Sequence, residues 1–350
     1  MKVAFVYNLR HVKPSLTDRR AQEEAEFDTW ETILGIQKAF EKKGHAVSLV
    51  ETNLDAYEKL RALKGRIDVV FNYSEGVGGQ DREAQIPTLL EMLQIPYTGS
   101  GPLTSAVLLS KTRTKELLAF HGLATPAWTV VQPEDLADLD QRLGQILSYH
   151  TSFPLIVKPN FEGSSKGIFN DSIVSTEKEL RKVIRRTIQN YHQAALVENY
   201  LPGREFTVAM LQEKDRWRVL PVIEVRFDEL PKEMNPIDSY EVKWIYDSPE
   251  KNMDPLVCPA KISPELKTAI ETTCTKACKS LGILDWCRID LRLDSRGVPN
   301  ILEINSPPGL MPDPKENSRY PRAARQAGIN FENLLDKILK SALLRYNNSN

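Results

Sequence analysis

The 350-residue chain contains no apolar run near the ~20 residues that a membrane-spanning helix needs, so no span is expected. Its first residues, Met1-Lys2-Val3-Ala4-Phe5-Val6-Tyr7, are too few and too polar at their flanks for a secretory leader and read as a first strand. Cysteine is scarce. Cys258, Cys274, Cys278 and Cys287 all fall in the C-terminal third, with no CxxC pair or histidine cluster beside them. That argues against a zinc site and leaves reduced thiols in a cytoplasmic protein as the expectation. A charge imbalance is also missing: 46 Lys and Arg against 47 Asp and Glu give a formal net charge of −1. Neither nucleic acid nor an anionic membrane is therefore an expected partner. The Gly-rich turn Ser74-Glu75-Gly76-Val77-Gly78-Gly79-Gln80 matches neither G-x-G-x-x-G nor G-x-x-x-x-G-K-[ST], so it is neither a dinucleotide fingerprint nor a P-loop.

What is present is an ordinary globular composition, 41% apolar and 27% charged, long enough for two or three cored domains. The most informative stretch is Arg288 to Asn305. It alternates polar and apolar residues, breaks at Asp294-Ser295-Arg296-Gly297, and alternates again, the pattern of a β-hairpin. Period-two geometry predicts Arg288, Asp290 and Arg292 on one face, together with Ile301, Glu303 and Asn305 of the partner strand. Ile289, Leu291 and Leu293 then face a core. Asp290 and Glu303 fall nearly opposite each other, and facing carboxylates destabilise a strand pair unless something positive sits between them. Asp, Glu and an amide oxygen form a hard, all-oxygen donor set that suits Mg²⁺. Without a metal, the same face would be a solvated strand whose acids pair with Arg288 and Arg292.

Upstream, residues 2–7, 46–50 and 67–72 read as strands separated by helical patterns, the βαβ rhythm of a parallel α/β domain. The turn Ser74–Gln80 follows the third strand, where ligands bind in open α/β sheets. Helices are expected at 82–93 and 103–121, then a second α/β unit from 128 with helices at 134–150 and 177–193. Between those two helices, an apolar strand ends in Lys158 and runs into Pro159-Asn160-Phe161-Glu162-Gly163-Ser164-Ser165-Lys166-Gly167. Small residues let backbone N–H groups wrap an anion while Lys158 supplies charge. A further strand, connector and strand span Ala195 to Thr207. The irregular segment 228–255 has the length of a lid over a site. A helix at 264–281 leads into the hairpin, and an amphipathic helix near 331–345 ends the domain.

With the hairpin and the Lys-x₄-Gly-Ser-Ser loop together, the chain resembles the ATP-grasp superfamily, specifically the D-alanine–D-alanine ligases. The resemblance rests on Pro96-Tyr97-Thr98-Gly99-Ser100-Gly101, Val157-Lys158-Pro159 with Glu162-Gly163-Ser164-Ser165, Val197-Glu198 through Glu205-Phe206-Thr207, Arg288-Ile289-Asp290, and Glu303-Ile304-Asn305 with Pro308-Gly309. It implies an α/β fold of three domains. Residues 1–102 would be an N-terminal substrate domain, 103–196 a central ATP-grasp domain with the phosphate loop, and 197–350 a C-terminal ATP-grasp domain with the lid and metal site. By the same resemblance, Lys111 and Lys158 contact ATP phosphates beside Ser164 and Ser165. Glu198, Asn199, Tyr200 and Leu201 lie against adenine, and Glu205 binds ribose. Lys243 reaches the γ-phosphate, Asp290, Glu303 and Asn305 hold Mg²⁺ (two ions, with Mn²⁺ able to substitute), and Arg288 with the backbone of Gly309 stabilises an oxyanion. The implied reaction joins a small carboxylate to an amino-acid amine through an acyl phosphate, releasing ADP, in a homodimer.

The departures from the family lie at the substrates. The turn after the first strand is Asn8-Leu9-Arg10-His11 rather than Gly-rich, and the family's Glu-Val-Ser region reads Glu26-Phe27-Asp28. The lid has Trp244 where the family has Tyr, and Met311-Pro312-Asp313-Pro314-Lys315 replaces a His-Ser pair. Glu26, Glu75, Trp244 and Lys315 are therefore the expected substrate contacts. One branch with this look attaches serine or threonine to mycosporine-glycine, activating a vinylogous carboxylate. An authentic D-alanine–D-alanine ligase and a catalytically silent nucleotide-binding module are the alternatives.

Overall fold

The computed structural model describes residues 1–13, 15, 23–150, 152–246 and 254–348, so part of the expected lid, 247–253, lies outside the described residues. Among these, the strands form three sheets. In the first, Lys2–Tyr7 lies between Ala46–Glu51 and Val69–Tyr73, all parallel. The central strand is buried on both faces, with Phe5 in one core cluster and Val6 in another, which explains its unbroken apolar run. The helix Trp30–Lys42 is capped by Thr29, whose side chain accepts from the Thr32 amide, and it buries Ile33, Ile36 and Phe40.

The second sheet is antiparallel, in the order Trp128–Val131, Ala195–Asn199, Leu155–Pro159, Ile173–Val174. Its own core runs from Val131 to Val197 and takes in the helices Leu139–Tyr149 and Glu177–Tyr191. The third sheet has Glu205–Glu213 and Trp286–Leu293 at its centre and the hairpin partner Pro299–Asn305 beside them. The helices Pro102–Leu109 and Lys111–Phe120 pack on this third sheet, placing Leu108 and Leu118 with Phe206 and Val208. They follow the N-terminal sheet in sequence but share a core with the C-terminal one.

That mixing recurs elsewhere. The last helix, Phe331–Asn348, contributes Leu334, Leu335, Ile338 and Leu339 to the same core as Phe5, Phe40 and Phe71. Trp286 is buried among Phe71, Tyr73 and Tyr320, with ring centroids 5.8, 6.5 and 5.3 Å away. The C-terminal strand that carries the polar face is thus anchored in the N-terminal unit's aromatic core.

The hairpin forms, and its turn is closed by Asp294, whose carbonyl accepts from Gly297 and whose side chain accepts from Val298. Gly297 sits at φ +79°, a conformation that favours glycine. One expectation fails here. A bulge shifts the register after Asp290, so Asp290 still pairs with Glu303 but Leu291 pairs with Ile301. Two residues on one strand then oppose one on the other. Ile301 therefore turns into the core beside Ile289 and Leu291 rather than joining the polar face, and Leu302 faces a cleft instead. No described helix is long and apolar enough to cross a membrane.

Candidate active site

The connector after Ala195–Asn199 carries the chain from the second sheet to the third. It leaves a cleft whose walls include Lys158, Glu198 and Tyr200 on one side and Glu205, Arg292 and Leu302 on the other. Asn199 and Leu201, expected against adenine, also line it. Glu198, also expected against adenine, lines it too, but with its charge already met. Its side chain is 1% exposed and ion-paired at 2.7 Å with both Lys158 and Lys115. Burial pushes its carboxyl up, but the two lysines hold it down at about 2. Burial pulls Lys115 down to about 8 against the attraction of Glu198. Sequence reasoning passed over Lys115. Its spacing of four from Lys111, on one helix face, was the available signal. Glu205 is likewise occupied, 2.9 Å from Arg292, and burial raises it to about 7. Arg292 also donates to the Tyr200 hydroxyl at 2.7 Å.

The loop after Lys158 places Ser164 and Ser165 at φ +51° and +60°, in the left-handed region. Both are tied to the irregular segment expected as a lid: Ser165 donates to the Asp238 carbonyl at 2.6 Å, and the Trp244 indole donates to the Ser164 carbonyl at 3.1 Å. Arg10 lies over the Trp244 ring at 5.3 Å. Lys243 lines a second cavity, which shares Glu303 with the cleft, and burial lowers its pKa below that of an ordinary lysine. Lys111 reaches the Glu162 carbonyl and lies 3.8 Å from Glu303.

On the hairpin, Asp290 and Glu303 face each other as expected. The positive group at this face is Arg288, 2.7 Å from Asp290 and 4.0 Å from Glu303. Burial pushes Asp290 up, but Arg288 outweighs it and holds the carboxyl at about 2. Thr207 and the Asn305 amide also donate to Asp290. No group of three or more His, Cys, Asp or Glu side chains that could hold a metal occurs among the described residues. The set here is two carboxylates and an amide. It fits Mg²⁺ by donor chemistry, with phosphate oxygens and water needed to complete the shell. Glu303 is the open position: its side chain is 30% exposed and accepts no hydrogen bond among the described residues.

The second cavity, about 660 Å³, extends from Lys111, Lys243, Arg288, Glu303 and Gly309 to an end lined by Glu26, Tyr73, Glu75 and Glu83 of the N-terminal unit. Of the four residues expected to contact substrate, Glu26, Glu75 and Trp244 line it, whereas Lys315 is exposed and does not. The cation that this part of the chain supplies is Arg319, four residues further on at the start of the helix Arg319–Gln326, ion-paired with Asp238 at 2.8 Å. Glu26 is held by Arg82 at 2.8 Å, so its charge is already met. Glu75 and Glu83 have no ion pair among the described residues. Burial, reinforced by neighbouring carboxylates, raises Glu75 well above the usual range and Glu83 to about 8. Asn8 organises this end by accepting from the Ser74 hydroxyl and the Glu75 and Gly76 amides. The Tyr73 hydroxyl accepts from the Leu310 amide at 2.8 Å and so holds the Gly309 turn.

Residues 117–340 match the family model described as D-ala D-ala ligase C-terminus. The chain is 33% identical over 314 residues to an uncharacterized protein, y4sG, of Sinorhizobium fredii, covering 88% of this chain and 86% of that one. It is 31% identical over 326 residues to a D-alanine–D-alanine ligase of Pelotomaculum thermopropionicum, covering 93% and 94%. The fold superposes on a D-alanine–D-alanine ligase of Bacillus anthracis, complexed with ATP, with a TM-score of 0.72 over the whole of both chains at 22% identity. The three-sheet fold, the order of its motifs and these likenesses agree: the chain belongs to the D-alanine–D-alanine ligase family of ATP-grasp proteins.

Proposed function

We propose that the protein is an ATP-dependent, ADP-forming ligase that joins a small carboxylate to the amine of an amino acid, with at least one substrate other than D-alanine. One observation carries this reading. A single cavity brings Lys243, Arg288, Glu303 and Gly309 beside a substrate end in which Glu26 is already neutralised by Arg82. A carboxylate whose charge is met by arginine is a poor receptor for a substrate ammonium. Glu75 and Glu83, both raised by burial toward the neutral acid, offer open hydrogen-bonding capacity there toward uncharged polar groups instead.

The nucleotide would lie in the cleft between the second and third sheets, its phosphates toward Lys158, Ser164 and Ser165. Mg²⁺ held by Asp290, Glu303 and Asn305 would offset charge on the transferring phosphoryl group. Lys243 and Lys111 add positive charge at the phosphate end of the cavity. Arg288 and the Gly309 amide stand where negative charge grows on the activated oxygen. The lid contact from Trp244 to Ser164 keeps water from the phosphorylated substrate. Within this class, the specific candidate is attachment of serine or threonine to mycosporine-glycine, whose activated oxygen is a vinylogous carboxylate. The carboxyl groups of Glu75 and Glu83 suit a hydroxyl-bearing donor.

The test is ADP release with Mg²⁺ against a panel of D-alanine, L-serine, L-threonine and other amino acids, each paired with small carboxylates and with mycosporine-glycine. Turnover with a pair other than D-alanine with D-alanine is the expected result. Exclusive use of D-alanine would make this a conventional member of the family, and no substrate-dependent turnover would leave a silent module.

A further inference from the structure

Glu26 and Arg82 come from the N-terminal unit, yet their polar contacts converge on the phosphate loop of the central unit. Arg82 donates to the Phe161 carbonyl at 2.9 Å and lies 3.3 Å from the Glu162 carboxylate. The same guanidinium holds both oxygens of Glu26, at 2.9 and 2.8 Å. Glu26 in turn accepts from the Gly163 amide at 2.5 Å. The side chains of Glu26, Arg82 and Glu162 are 4%, 9% and 9% exposed, so these contacts are shielded from solvent. Glu162 is further fixed by Lys166 at 2.7 Å and Gln193 at 2.8 Å. A Cβ on Gly163 would lie 2.7 Å from the Glu26 carboxylate, so a side chain there would have to displace that carboxylate.

We propose that Glu26 and Arg82 form a clamp that sets the conformation of the phosphate loop Asn160–Gly167, making them positioning residues for ATP rather than substrate contacts. The inference rests on the proposed assignment of that loop to the ATP phosphates. It follows from where the donors go. The Gly163 N–H precedes the two serines held in left-handed conformations, and a loop of that shape aims successive amides at one point only while its ends are fixed. Lys158 and the lid fix one side, and Glu26 with Arg82 fixes the other.

The experiment compares binding of Mg-ATP and of adenosine, by calorimetry, to the parent chain and to Glu26→Gln, Arg82→Lys and Gly163→Ala. Adenosine reports the cleft alone; ATP adds the phosphates. All three variants are expected to weaken Mg-ATP by about tenfold, the scale of losing a charge-assisted hydrogen bond, while leaving adenosine unchanged. Glu26→Asp, which keeps the charge but shortens the reach, should fall between parent and Glu26→Gln. Equal weakening of both ligands would mean a general packing role and overturn the proposal. So would unchanged Mg-ATP binding accompanied by a raised KM for the amine or carboxylate substrate. Failure of the ligase reading is separable, since it would appear as absence of Mg-ATP binding by the parent chain.

Discussion

Asp290 and Glu303 face each other across one strand pair, yet they sit in opposite electrostatic situations. Asp290 is gripped by Arg288 at 2.7 Å and lies almost wholly buried, whereas Glu303 stays part-exposed with its nearest cations at 3.8 and 4.0 Å. The pair therefore has a division of labour before any ligand arrives. One acid fixes the arginine, and the other has oxygens left to share. Facing carboxylates of which only one is held by a close salt bridge agree with the proposal that this pair receives a cation.

The buried trio Lys115, Glu198 and Lys158 gives a stability prediction. Replacing Glu198 by Gln strands two lysines in the interior, and loss of one partner of a buried pair costs about 3–5 kcal/mol. The sign with pH follows from the depressed carboxyl. Its folded value of about 2 lies below the ordinary 4.5, so the contribution is complete above pH 4.5 and fades as pH falls toward 2. Chemical denaturation at pH 7 and at pH 3 checks this: the difference between parent and Glu198→Gln should shrink at the lower pH.

Glu83 behaves in the opposite sense. Its folded value of about 8 lies above 4.5, so the folded chain holds a proton that the unfolded chain has lost. The stabilisation is present below pH 4.5 and disappears as pH rises to 8. Glu83→Gln, which mimics the neutral acid, should gain stability relative to the parent across that window. Melting temperatures from pH 5 to pH 8.5 that stay parallel for the two proteins would contradict it.

Tyr73 gives a kinetic prediction. Its hydroxyl is the acceptor for the buried Leu310 amide, and Tyr73→Phe leaves that donor unmet at a cost of about 1–3 kcal/mol. Since Gly309 adjoins the freed amide, kcat should fall while the KM for ATP holds. A raised KM for ATP with unchanged kcat would show that the hydroxyl does not act through the Gly309 turn.

How far the sequence carries can be read from particular residues. The Lys2–Tyr7 run, the hairpin and the Lys158 loop were legible because period, turn chemistry and apolar length are local signals. The facing of Asp290 and Glu303 followed from counting back from the turn. The displacement of Ile301 did not, since a bulge is an interruption that no alternation announces. Partners across units were also out of reach. Nothing near Glu26 names Arg82, 56 residues away, as its neighbour, and nothing near Glu198 names Lys115. Lys315 stands out only by its position in a changed motif, but the chain turns there, and Arg319 is the cation of that segment that lines the cavity. The helices Pro102–Leu109 and Lys111–Phe120 show the same limit: their apolar faces predict burial without saying on which sheet.

The most direct test of the metal-bridged nucleotide site is Mn²⁺ binding in the presence of ADP, followed by electron paramagnetic resonance, for the parent chain and for Glu303→Gln. That substitution keeps the shape of the side chain and removes its charge. The expected result is tight nucleotide-dependent Mn²⁺ binding by the parent and at least ~10-fold weaker binding by the variant, with an unchanged melting temperature. Equal Mn²⁺ affinity in the two proteins would contradict the assignment of Glu303, and with it the site.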